Sequence, residues 1–117
     1  MEIIRKKEQP EEDRGGYLVR KMLSKPIKSG FSVDSIAEYL TTVPVGGKCR
    51  EHYHKNSYES VLFLDSGIGI INGEKYQFEE GDNLLLEPGD RHEFIPIGQL
   101  RLFAVRIPDL PQDKITI

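Results

Sequence analysis

At 117 residues, with 38% hydrophobic and 30% charged residues, the chain has the size of one domain built around one core. A net charge of −3 gives no electrostatic reason to bind nucleic acid or an anionic membrane, and no stretch approaches the roughly 18 apolar residues of a spanning helix. One cysteine, Cys49, allows no internal disulfide; with no apolar leader run, the expectation is a cytoplasmic protein.

In chain order, residues 1–13 are rich in charge and read as an N-terminal arm, flexible or paired at a sheet edge. Short runs bounded by turn signals follow, without a helical period. The first strand is Tyr17 to Leu23 and the second Phe31 to Val43, which ends at Pro44-Val45-Gly46-Gly47. From Arg14 to Val33 the chain has Arg14, Arg20, Lys21, Lys25 and Lys28 and no acidic residue. Such a run guards a strand edge against pairing, or forms a basic rim that attracts an anionic substrate. Arg50 to His54 and Ser60 to Leu64 flank a short connection. Ile68 to Ile71 and Lys75 to Phe78 surround Asn72-Gly73, whose two positions accept positive φ and so predict a tight hairpin. Asn83 to Leu86, His92 to Ile95 and Leu100 to Ile107 complete the set, and Pro108 to Ile117 is an extended tail. Many short strands in so small a domain imply an all-β jelly roll or small barrel, which manages strand edges by closure.

All three histidines fall into one ligand pattern: His52 and His54, then Glu59, then His92 far downstream. Side chains two apart on a strand share a face, with Cα atoms roughly 6.5 to 7 Å apart, so His52 and His54 can aim two imidazoles at one ion. Three nitrogens and a carboxylate oxygen suit one divalent transition ion (Mn, Fe, Co, Ni, Cu or Zn) and leave an octahedral metal two open positions. By the same alternation Arg50 turns inward with His52, either to meet a substrate carboxylate or phosphate or to cover the rim, whereas Cys49 points away as an inert thiol. Val61 and Phe63 share the parity of Glu59 and line the cavity as packing. Glu38, Tyr39, Thr41 and Phe94 lie on strands that could reach it.

The frame around these residues, Gly46-x5-His52-x-His54-x4-Glu59-x7-Gly67 and Gly81 through Pro88 and Gly89 to His92, resembles the two cupin motifs, G-x5-H-x-H-x3,4-E-x6-G and G-x5-P-x-G-x2-H-x3-N. The resemblance spans Gly46 to Pro96 and departs in three places. Seven residues rather than six precede Gly67, so either a bulge absorbs one or the alternation aiming Glu59 inward is disturbed. Glu87 stands in place of the motif's proline and Pro96 in place of its asparagine. The resemblance implies a single cupin domain over residues 1–117, folded as a double-stranded β-helix with the metal in the barrel mouth. It also implies a homodimer, for which Tyr17 to Leu23 is the expected contact. Cupins include isomerases, epimerases, lyases, decarboxylases and dioxygenases, so the expected function is metal-dependent chemistry on a small oxygen-rich metabolite, or non-catalytic binding of a sugar or carboxylate.

Overall fold

A computed structural model describes residues 1–2, 4–28 and 33–117. After a single 3-10 turn at Lys6–Glu8, the described residues form strands β1 (Glu11–Asp13), β2 (Leu18–Lys28), β3 (Val33–Val43), β4 (Cys49–His54), β5 (Tyr58–Phe63), β6 (Gly67–Ile71), β7 (Glu74–Phe78), β8 (Asn83–Leu86), β9 (His92–Pro96), β10 (Leu100–Ile107) and β11 (Lys114–Thr116). They make two antiparallel sheets, ordered β1-β2-β3-β10-β5-β8 and β11-β4-β9-β6-β7. None of the described helices is long and apolar enough to cross a membrane.

Alternation decides what enters the core. On β10, Leu100, Leu102 and Ala104 are buried; on β5, Val61 and Phe63 are. Phe63 stacks on Phe78 at 4.3 Å and meets the edge of Phe94 at 5.8 Å, which ties the two sheets together. Gly67 is small because a Cβ there would stand 2.8 Å from the Leu100 side chain. The β6–β7 hairpin turns on Asn72 at φ 51° and Gly73 at φ 84°, the positive pair its sequence predicts.

Several expected boundaries shift. The start of the second strand, at Phe31, lies outside the described residues. The N-terminal arm supplies β1, which pairs with Leu18 to Arg20 of β2, and the tail supplies β11, which pairs with β4. Tyr17 and Val19, within the segment expected to face a second copy, point into the protein's own core. The extra residue before Gly67 causes neither a bulge nor a parity change inside β5. That strand runs in unbroken register with β8 and β10, and the surplus falls in the Leu64 to Ser66 connection. There Asp65 accepts hydrogen bonds from the Arg101 amide at 2.9 Å and its guanidinium at 2.8 and 3.0 Å.

Candidate metal centre

The site begins with an irregularity in β4. Against β9, Cys49 pairs with Phe94 but His52 pairs with His92, so three steps on one strand match two on the other. This bulge resets the alternation. Cys49, His52 and His54 are all buried, and Arg50 is exposed. The expected placement of Cys49 is therefore reversed, its thiol facing the interior, and of the two placements open to Arg50 the outer one holds, with the residue exposed and outside the inner cavity. Burial pushes the Cys49 thiol up to about 12, so it is inert as a nucleophile or ligand.

His52, His54 and His92 converge, with ring centroids 4.2 to 5.7 Å apart and ligand nitrogens all within 4.8 Å of one another. His52 Nδ1 donates to the Arg50 carbonyl at 2.8 Å, and His92 Nδ1 to the Asp90 carbonyl at 2.9 Å. A carbonyl can only accept, so each ring carries its proton on Nδ1 and keeps a lone pair on Nε2, the tautomer a metal needs. His92 Nε2 and both ring nitrogens of His54 are buried without a hydrogen-bond partner. Each such atom costs about 1–3 kcal/mol if left unsatisfied. Burial, with His92 adding to it, pulls His52 down to about 3. Burial also lowers His92, against the raising influence of Glu59 and the Asp90 carbonyl. Imidazoles with uncommitted nitrogens fit a divalent ion, and His52, His54 and His92 are the residues that would hold it.

Glu59 stands beside this group on the opposite sheet, 5% exposed. Its Oε2 accepts from Arg106 Nε at 3.2 Å and Nη2 at 2.9 Å, and lies 3.4 Å from His54 Nε2; its Oε1 lies 3.6 Å from His92 Nε2. The His54 approach lacks hydrogen-bond geometry, so Arg106 is the firm partner. Burial alone would raise the Glu59 carboxyl. The Arg106 guanidinium, bonded twice to Oε2, outweighs it and holds the group well below the usual carboxylate range. Arg106 is the residue that motif reading missed. It pairs directly across from Glu59 on β10 and continues the inward face of Leu100, Leu102 and Ala104, so an arginine closing an apolar alternation was the available signal. Its guanidinium also sits 4.8 Å over the Tyr39 ring.

Two loops fix the positions of these side chains. The Gly89 amide donates to the His54 carbonyl at 2.8 Å, which binds the loop before His92 to β4. Asp113, buried, accepts from the Asn56 amide at 3.1 Å, Asn56 Nδ2 at 3.0 Å and the Ser57 amide at 3.0 Å, clamping the connection between His54 and Glu59. A cavity of about 50 Å³ opens beside His52 and Glu59. Val61, Tyr39, Thr41 and Phe94 line it as the sequence allowed; Phe63 is core, and Glu38 is not part of the lining.

Two antiparallel sheets facing each other, with three buried histidines converging between them, define a cupin-type barrel with a possible metal site. The cupin domain family model matches residues 39–106, and the chain belongs to that family. An uncharacterised protein of Methanocaldococcus jannaschii is 31% identical over 90 residues, 76% of this chain and 70% of that protein. Among solved structures, KdgF from Halomonas sp. superposes with a TM-score of 0.78 at 13% identity, covering 93% of this chain and 96% of that one. The Streptomyces protein Pac13, a nucleoside dehydratase, superposes at 0.77 and 16% identity, covering 100% and 91%. At such identities the likeness to these structures concerns the fold.

Proposed function

We propose that the protein is a metal-dependent enzyme acting on a small oxygen-rich metabolite, with one divalent transition ion held by His52, His54 and His92 and completed by Glu59. The observation that carries this reading is the set of uncommitted nitrogens: two rings are fixed in the ligating tautomer by backbone carbonyls, and the third has no partner at either nitrogen. The ion would supply Lewis-acid polarisation of a substrate oxygen, for isomerisation, epimerisation or lyase chemistry, or oxygen chemistry if redox-active. Arg106 keeps Glu59 ionised and engages one of its oxygens, leaving Oε1 facing His92. Val61, Leu102, Ala104 and Phe94 form an apolar wall that thins the water beside the imidazoles.

A second reading, capture of a small carboxylate or sugar without turnover, is favoured by the lining of the inner cavity, whose one carboxylate, Glu59, is engaged by Arg106 rather than free to act as a general acid or base. Elemental analysis of the purified protein, followed by incubation with a metabolite pool with and without the bound metal, separates the possibilities. Stoichiometric metal and metal-dependent consumption of a metabolite uphold the enzyme. Binding without consumption leaves the capture protein, and absence of metal sinks both. A cytoplasmic homodimer is part of the same proposal, and a monomer mass in light scattering at micromolar concentration overturns its quaternary half.

A further inference from the structure

The strand β11, read from sequence as a mere tail, lies beside β4 with Lys114 opposite His54 and Thr116 opposite His52. Directly paired residues on neighbouring strands point to the same face. Lys114 therefore shares the inward face with the imidazoles, and it lines the inner cavity together with Arg14 and Tyr17. The same three residues, joined by Arg50 and Thr116, also line a second, outer chamber of about 200 Å³. The two chambers thus meet at one wall. The outer one carries three cationic side chains and no carboxylate among its lining residues, in a chain whose net charge is −3.

These cations are not consumed by internal pairing to the same degree. Arg14 is bonded to Glu12 at 3.1 Å on the surface. Lys114 Nζ donates to the neutral Tyr17 hydroxyl at 2.9 Å, and neither it nor the Arg50 guanidinium pairs with a carboxylate among the described residues. The Tyr17 oxygen accepts from Lys114 and its hydroxyl also meets the Cys49 thiol, so Tyr17 holds the ammonium at the wall between the chambers. An ammonium, a guanidinium and the Thr116 hydroxyl around one chamber are a donor set for an oxyanion. The bulge in β4 contributes as well, because it is what turns Arg50 away from the imidazoles and into the outer chamber.

We propose that the ligand of this protein is an oxyanion-bearing small molecule, whose carboxylate or phosphate seats on Lys114, Arg50 and Thr116 in the outer chamber while its remaining oxygens reach past Lys114 toward His52. This rests on the reading of the inner cavity as a small-molecule site and adds the substrate class. The test is run on metal-stripped protein so that the two readings fail separately. Calorimetric titration compares malonate and glycerol 3-phosphate with neutral glycerol. At least one anion binds and glycerol does not; the tighter anion tells carboxylate from phosphate. Lys114→Gln and Arg50→Gln each weaken the anion about tenfold or more, as expected for a lost hydrogen bond to a charged group, and Lys114→Arg restores part of it. Metal content, measured separately on the unstripped variants, stays at the level of the unsubstituted protein. Melting curves establish which variants are folded. Glycerol binding as tightly as both anions, no binding by either anion, or unchanged anion affinity in every folded Gln variant overturns the proposal.

Discussion

The two walls of the site solve the problem of buried polarity in opposite ways. The five-stranded sheet presents His52, His54 and His92, with three ring nitrogens left without partners. The six-stranded sheet presents Glu59 and Arg106, a direct cross-strand pair that satisfies itself through two hydrogen bonds to one oxygen. One wall leaves buried nitrogens without partners, and the other brings a counter-charge for one carboxylate oxygen. The contrast teaches where stability resides: removing a histidine takes away uncommitted nitrogens, whereas removing Arg106 strands a charge.

The largest effect falls on the first wall. The His52→Ala, His54→Ala double variant should drop from stoichiometric metal to background in elemental analysis and remain folded by circular dichroism; full metal retention would show that the imidazoles are not the ligands. On the second wall, Arg106→Leu should cost about 3–5 kcal/mol in urea unfolding, because Glu59 is left buried and uncompensated. Adding Glu59→Gln should recover part of that loss, and no recovery would mean that the pair is not the unit described. Asp113 joins the walls by clamping the connection between His54 and Glu59, and Asp113→Ala should cost about 1–3 kcal/mol by leaving the Asn56 and Ser57 amides unpartnered.

The same two carboxyls set the acid response. Glu59 and Asp113 both titrate in the folded protein below their ordinary values of 4.5 and 3.8, Glu59 through Arg106 against its burial, Asp113 through the Asn56 and Ser57 hydrogen bonds against its burial. Their contribution is therefore whole above pH 4.5 and is lost as the pH falls below it. Melting temperature should decline on acidification through that window, less steeply in Asp113→Asn; identical slopes would remove Asp113 from the account. The remaining prediction concerns Cys49, which shares the imidazole wall but not its chemistry. With the thiol pushed up to about 12, alkylation by iodoacetamide at pH 8 should run roughly a thousandfold slower than in urea-unfolded protein. Comparable rates would mean the thiol is open to solvent.

The histidine cluster was legible because period-two spacing and the glycine frame survive locally, and the Asn72-Gly73 hairpin because its φ values are a property of those two residues. Cys49 was misplaced, and Arg50 left between two placements, for the converse reason. Parity propagates only along an unbroken ladder, and the bulge between Cys49 and His52 exists only in relation to β9. Glu59 shows the reverse, since an irregular count before Gly67 was absorbed by a loop and left its strand regular. Strands β1 and β11 have little intrinsic signal at three residues each, and become strands because an edge is there to receive them.

The position of β10 between β3 and β5 has a consequence in time as well as in space. Its partners lie far away along the chain, so the six-stranded sheet cannot be closed by any local hairpin, and folding speed falls as such distant pairings dominate. Folding on the millisecond-to-second scale, typical of such topologies, is accordingly expected in stopped-flow refolding. The step that inserts β10 also delivers Arg106 to Glu59. Until that moment the carboxylate has no counter-charge and the sheet is open between β3 and β5, so closing the six-stranded sheet and pairing Glu59 are one event.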